Sequence, residues 1–161
     1  MHFEFNLPQG AEDAIKLGVA YLFALPVGWY REQEAHSAGV RTFPLVAMAS
    51  CGYVLLGSPS AHMSMEAQSR IIQGLVAGIG FIGGGAILKS EGGKSDNHVH
   101  GVATAASIWT TGVVGASVAQ NRYLLAATLA LLNLFTLRVL LRVKLKLKDD
   151  RHPKQDRDTD L

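Results

Sequence analysis

Several residues of this 161-residue chain are of types that could do chemistry. Gly78-Ile-Gly-Phe-Ile-Gly83 has the G-x-G-x-x-G spacing of a loop that cradles a dinucleotide pyrophosphate. Ser107 and Cys51 are nucleophiles by type, and either would need a base within reach to act as one. His98 and His100 could touch a metal ion, and Glu12, Asp13, Glu32, Glu34 and Glu66 are carboxylates that lie close to apolar stretches. A Mg²⁺ site draws on oxygen ligands of that kind, commonly one or two carboxylates with water retained. Gln73, Thr104 and Asn133 are polar residues inside apolar runs, while Arg31, Glu32, Arg41 and Thr42 flank two such runs.

The surroundings of each residue decide among these chemistries. A dinucleotide fingerprint follows a strand, opens a helix and precedes an acidic residue about 20 positions on. Here it lies midway along an uncharged apolar run with no strand–helix alternation around it. Its glycines are therefore read as helix-packing residues, and no nucleotide or nucleic-acid partner is expected. All six histidines fall outside the apolar runs, which leaves Ser107 and Cys51 without a base, so no enzyme is expected. His98 and His100 lack a third ligand nearby, so neither a metal site nor a cofactor is predicted. No Asp or Glu lies in the inner part of any run, which weighs against a dedicated Mg²⁺ transporter. Carbonyls at a broken glycine helix would still offer oxygens to a cation. Gln73 and Asn133 read as groups that hydrogen-bond between helices. Cys51, the only cysteine, reads as a small buried side chain and excludes an intrachain disulfide.

Five apolar segments position these residues, at about 14–30, 41–60, 71–88, 101–119 and 123–141. Residues 42–65, 71–88, 97–121 and 123–137 carry no charge, with histidine neutral. A water-soluble fold of this size has too much surface for that. The expected fold is an all-α polytopic transmembrane bundle of about five spans in a lipid bilayer, the second span short. Pro26 should kink the first helix. The basic residues give an orientation. Arg31, Arg41, Lys89, Lys94, Arg138 and the seven Lys and Arg beyond it fall on one side, and only Lys16, Arg70 and Arg122 on the other. By the positive-inside rule residues 1–13 lie outside and the tail 143–161 is cytoplasmic. That tail should be disordered, with Lys144–Lys148 an anchor on anionic lipid or a stop-transfer flank. The residues before Ala14 hold no Lys or Arg, so no cleaved leader is expected, and no soluble domain is expected after the tail.

The third segment is rich in glycine, with Gly74/Gly78 and Gly80/Gly84 each four apart and Gly83–Gly85 in a row. Glycines at that spacing form a groove in which another helix backbone can come close, the packing that replaces the hydrophobic effect in lipid. The fourth segment has small residues at Ala103, Ser107, Thr111, Gly115 and Ala119, a smooth stripe along one face. The groove and the stripe are expected to pack on each other. The third helix should pack tightly, or bend or break near Gly83–Gly85.

These same stretches resemble the MgtC/SapB family of membrane proteins. Arg70-Ile71 followed by Gly78-Ile-Gly-Phe-Ile-Gly-Gly-Gly85 resembles its glycine motif, and Gly101-Val-Ala-Thr-Ala-Ala-Ser-Ile-Trp-Thr110 its G-L-T-T-A-A-S-L-W stretch. Ala38-Gly-Val-Arg-Thr42 resembles its A-G-L-R-T loop, and Gly28-Trp-Tyr-Arg31 lies where the family reads G-x-E-R. Tyr30 stands where the family usually has Glu, and Ala67 near where many members carry Asp. The resemblance spans roughly residues 15–140 and implies a short form without the soluble C-terminal domain that many members have. It implies a bacterial inner-membrane protein linked to growth under magnesium limitation, to survival inside host cells and to modulation of the ATP synthase. Two functions follow as expectations: regulation by binding other membrane proteins or small membrane peptides, with a homo-oligomer one form of it, or transport of Mg²⁺ or another cation. Arg31, Glu32, Arg41 and Thr42, at the cytoplasmic face, are the motif residues expected to carry a role.

Overall fold

The computed structural model describes residues 9–33, 38–57, 64–89 and 99–140. The expectations for residues 1–8, for Lys94 and His98, and for the tail 143–161 lie outside the described residues. Five helices follow one another: α1 (Gln9–Gln33), α2 (Thr42–Leu56), α3 (Met65–Gly85), α4 (Val102–Ala119) and α5 (Tyr123–Phe135), the last continuing as a π-helical turn, Thr136–Leu140. A two-residue antiparallel pair, β1 (Leu88–Lys89) with β2 (Val99–His100), matches Leu88 to His100.

Local chemistry sets the helix ends. Pro44 falls in the first turn of α2, where a missing N–H is no loss, and Gly39 O accepts from Thr42 N at 3.0 Å to start the helix. Ser64 caps α3 by accepting from Ala67 N at 3.2 Å. This cap starts α3 earlier than its apolar run suggests, and the Glu66–Arg70 pair four apart carries the helix through polar sequence. The helix ends at Gly85, within the glycine triplet expected to bend or break it. The α4–α5 turn is a Schellman arrangement: Arg122 N donates to Ser117 O at 2.9 Å and Asn121 N to Val118 O at 3.0 Å, with Asn121 in the left-handed conformation at φ 59°. α1 runs through Pro26 as one element.

α4 is the centre of the bundle. It touches α1, α2, α3 and α5, and ten of its eighteen residues are buried, more than on any other helix. Two glycines admit the neighbours. A Cβ at Gly115 would collide with the Ala47 carbonyl of α2, and one at Gly112 with the Ile79 side chain of α3. Around them Phe43, Ala47, Cys51, Ile108, Val114 and Val118 are fully or almost fully buried. Cys51 is thus the small buried side chain its context suggested.

The outside of the bundle is apolar. Leu22, Trp29, Leu56, Phe81, Leu124, Leu131 and Phe135 are all exposed. By length and apolarity together only α4, among the described helices, suffices to cross a membrane. The all-helical fold is the one expected, while one helix rather than about five meets that measure. α2 and the stretch Tyr123–Val139 are apolar but shorter, and α2 at 15 residues is about 22 Å long, against a hydrocarbon core of about 30 Å. α1 and α3 have the length, but charged ends, Gln73 and the glycines dilute their apolarity.

Gly115→Ala should push α2 away from α4 and cost about 1–3 kcal/mol. Gly84→Ala, with open space at its Cβ, should be neutral or gain up to about 1 kcal/mol of helix propensity. Thermal unfolding of both variants in detergent checks this; equal losses would refute the assigned contact.

Candidate functional site

Four of the five polar residues of α4 point inward and form a seam along the bundle axis. Thr104, Ser107, Thr111 and Ser117 are all buried. At one end Arg31 of α1, only 4% exposed, donates from its guanidinium to Thr104 Oγ1. One turn on, Ser107 Oγ donates to Asn133 Oδ1 of α5 at 2.8 Å, and Asn133 Nδ2 returns to Ser107 O at 3.2 Å and lies 3.5 Å from Thr111 Oγ1. Thr111 Oγ1 donates to Ser107 O within α4 at 2.9 Å. On α2, Ser50 Oγ donates to its own Val46 O at 2.7 Å. Buried polar groups need such partners in a medium without water.

The Arg31 end is built by backbone contacts. A Cβ at Gly28 would stand 3.0 Å from Val40 Cα and 3.1 Å from Gly39 O, so glycine lets the α1–α2 loop lie flat on α1. Val40 N donates to Glu32 Oε2 at 3.0 Å, and the Glu32 carboxylate fills the space a Gly39 side chain would need. Tyr30, also buried, donates its hydroxyl to Leu137 O in the π-helical turn at 3.4 Å, and Arg138 lies over its ring 5.3 Å from the centroid. A π turn leaves carbonyls off the regular ladder, and Tyr30 reaches one of them. Gly101, at φ +93°, closes against the Ala86 carbonyl.

Stretches far apart in the chain therefore meet here: Gly28–Glu32, Ala38–Thr42, Gly101–Thr104 and, through Gly83 against Ala105, the end of the glycine helix. Residues 17–145 match the profile of the MgtC family. The chain belongs to the MgtC family. It is 37% identical to protein SrpB of Synechococcus elongatus over 123 residues, covering 70% of this chain and 66% of that protein. It is 28% identical to protein SapB of Bacillus subtilis over 148 residues, 88% and 62% of the two chains. It is 28% identical over 144 residues, 85% and 64%, to an Escherichia coli protein named "Putative magnesium transporter YhiD". The matched region thus spans about two thirds or less of each relative's own length. No solved structure gives a significant match.

Set against the sequence expectations, this MgtC-family chain brings Arg31 and Thr104 into contact and joins Asn133 to Ser107 and Thr111. Glu32 accepts from the α1–α2 loop, and the Arg41 side chain is exposed beside a half-buried Thr42. Gln73 is exposed and bridges nothing among the described residues. The expected packing of the α3 groove on the α4 stripe does not occur. A Cβ at Gly74, Gly78 or Gly84 would meet nothing within 4 Å, and one at Gly80 would meet only Trp109 Nε1 at 3.9 Å. α3 approaches α4 through Ile79 and Gly83 instead. Ala103 is exposed, and Ser107, Thr111 and Gly115 turn to α5 and α2. One stripe on a helix shared by four neighbours cannot be given to a single partner.

Two groups escaped the sequence reading. Lys16, read only as an orientation signal, is buried and pairs with Glu12 at 2.7 Å; the four-residue spacing of the two on one helix is the available signal. The Tyr30–Leu137 bond had none, since a backbone carbonyl leaves no trace in sequence.

Thr104→Val should cost about 1.5–3 kcal/mol, the range for a hydrogen bond to a charged group. A double-mutant cycle of Ser107→Ala with Asn133→Leu should give a coupling of about 0.6–1.7 kcal/mol, as for hydrogen bonds between membrane helices. Additive losses in chemical unfolding would place Asn133 elsewhere.

Proposed function

We propose that this chain is a multi-pass protein of the bacterial inner membrane that supports adaptation to low magnesium by binding other membrane proteins, without catalysis and without itself conducting Mg²⁺. One observation carries the reading: a set of polar groups is buried and paired inside the bundle, while many large apolar side chains face outward. Arg31, Thr104, Ser107, Thr111 and Asn133 are buried and hydrogen-bonded, while Leu22, Leu56, Phe81, Leu124 and Leu131 face outward. Lipid as solvent accounts for that distribution, since intramembrane polar groups turn to the bundle interior. The up-and-down connectivity also gathers Arg31, Arg41 and Arg138 at one end of the bundle and Lys16, Arg70 and Arg122 at the other. This agrees with the N-out, C-in orientation expected from loop charge.

Regulation is favoured over transport by the chemistry of the seam. Ser107, Thr111 and Asn133 are engaged with one another, the seam residues include no carboxylate, and no cluster of three His, Cys, Asp or Glu occurs among the described residues. Mg²⁺ sheds its waters reluctantly and seeks carboxylate partners. The second reading, a Mg²⁺ or other cation transporter, is favoured by the name of the relative YhiD.

Purified chain in liposomes separates the two. The regulatory reading expects no Mg²⁺ entry above protein-free vesicles, rescue of growth at low Mg²⁺ in cells lacking the family member, and a membrane protein captured with it. Saturable Mg²⁺ uptake lost with Arg31→Ala would overturn it in favour of transport.

A further inference from the structure

Between α2 and α3 runs a partly open groove of about 560 Å³. α2 lines it from Val46 to Tyr53 and α3 from Ile71 to Ile82. The lining is mostly apolar, and the Ser50 hydroxyl on its wall already donates to Val46 O. In a bilayer such a space does not stay empty. Lining atoms without neighbours lose their dispersion contacts, and an apolar wall offers water too few partners.

The length of the groove narrows the choice of guest. Eleven residue steps separate Ile71 from Ile82, about 16 Å of helix. That is close to half of a hydrocarbon core about 30 Å thick, the depth of one leaflet. A transmembrane helix needs the whole thickness.

The open end carries charge. Gly74 and Gly78 lie on a ridge of residues four apart that continues outward through Arg70 to Glu66. Those two side chains pair through one N–H and one oxygen, Arg70 Nη2 to Glu66 Oε1 at 2.9 Å, and stay 75% and 77% exposed. An exposed pair four apart on a helix is weak. The other guanidinium N–H groups and the second carboxylate oxygen are left for an outside partner. Along the ridge the order is therefore apolar stretch, cation, anion.

We propose that the groove holds one zwitterionic phospholipid of the outer leaflet, phosphatidylethanolamine, with an acyl chain along Gly74 and Gly78, its phosphate on Arg70 and its ammonium on Glu66. The inference rests on the membrane reading above, which puts the α2–α3 connection outside. The lipid presents its parts in the matching order: chain, anion, cation. A guanidinium fork suits a phosphate, and a primary ammonium has N–H donors for the carboxylate. Phosphatidylglycerol answers Arg70 but leaves Glu66 without a cation. Phosphatidylcholine brings a cation with no N–H to donate. Tyr53, exposed at the mouth, is an aromatic of the kind that settles at headgroup level.

Native mass spectrometry of the full chain tests it. Chain stripped of lipid in mild detergent is offered phosphatidylethanolamine, phosphatidylcholine and phosphatidylglycerol in equal amounts. It should retain one phosphatidylethanolamine, several-fold in preference to either of the others. Gly78→Leu, whose side chain enters open space and fills the groove, should cut retention several-fold, and so should Arg70→Ala. Glu66→Gln should move the preference toward phosphatidylglycerol, a change that a merely structural role would not produce. It lies at an exposed position and decides the matter even where Gly78→Leu unfolds the chain. A benzophenone side chain at Ala49, exposed on the groove wall, should yield a phospholipid adduct on illumination of native membranes. Equal retention of the three lipids, a preference unmoved by Glu66→Gln, or a polypeptide adduct from Ala49 would overturn the proposal. A chain that inserts into bilayers but holds lipid without preference for a headgroup removes this site alone. A chain recovered from water as a compact monomer without detergent removes the membrane reading.

Discussion

At Gly115 the backbone of α4 lies against the Ala47 carbonyl, closer than any side chain there would permit, and at Gly112 it lies against the tip of the Ile79 side chain. The rest of the bundle depends on this approach. With no side chain holding α2 and α3 at arm's length, α4 can touch every other helix at once. Close-packed interiors gain dispersion from many small contacts and lose it over gaps of a fraction of an ångström. A centre built from glycine, serine, threonine and valine is therefore a way of bringing backbones together, and large side chains are left for the perimeter.

That choice has a consequence for polar groups. Threonine and serine are small enough for the centre but bring hydroxyls with them, and each hydroxyl has to find a partner. Thr111 turns back on its own helix, Ser107 finds Asn133, and Thr104 accepts from Arg31. The same residues that let the helices pack thus tie α4 to α1 and α5 by directional bonds. Such bonds fix rotation and register in a way that smooth apolar packing does not. The Arg31 end adds a further layer. Gly28 and Glu32 hold the α1–α2 loop, while Tyr30 holds the π-helical turn that follows α5. The Tyr30 ring meets the Arg138 cation through its π face.

The glycine helix follows the opposite rule. Its motif is dense in small residues, yet most of them face away from the chain. Small residues signal that a backbone can come close without saying which backbone. In α4 the approaching backbone belongs to the same chain.

Although the Ser64 cap that starts α3 at Met65, ahead of its apolar run, was not read, the existence of the five described helices and their rough positions were legible in the sequence, because apolar run length acts locally. So was the segregation of Arg31, Arg41 and Arg138 from Lys16, Arg70 and Arg122, since alternation of helix direction follows from short connections alone. The role of Asn133 was legible too: a buried amide in an apolar helix must find partners, whoever they are. Which face of α3 meets α4, which glycines are sterically required, and that Arg31 ends on Thr104 were decided only by the tertiary structure. The physical reason is that helix formation and polar satisfaction are local demands, written at each residue. The pairing of faces is a competition among all the helices for one central surface, and small residues, being compatible with every neighbour, do not name the winner.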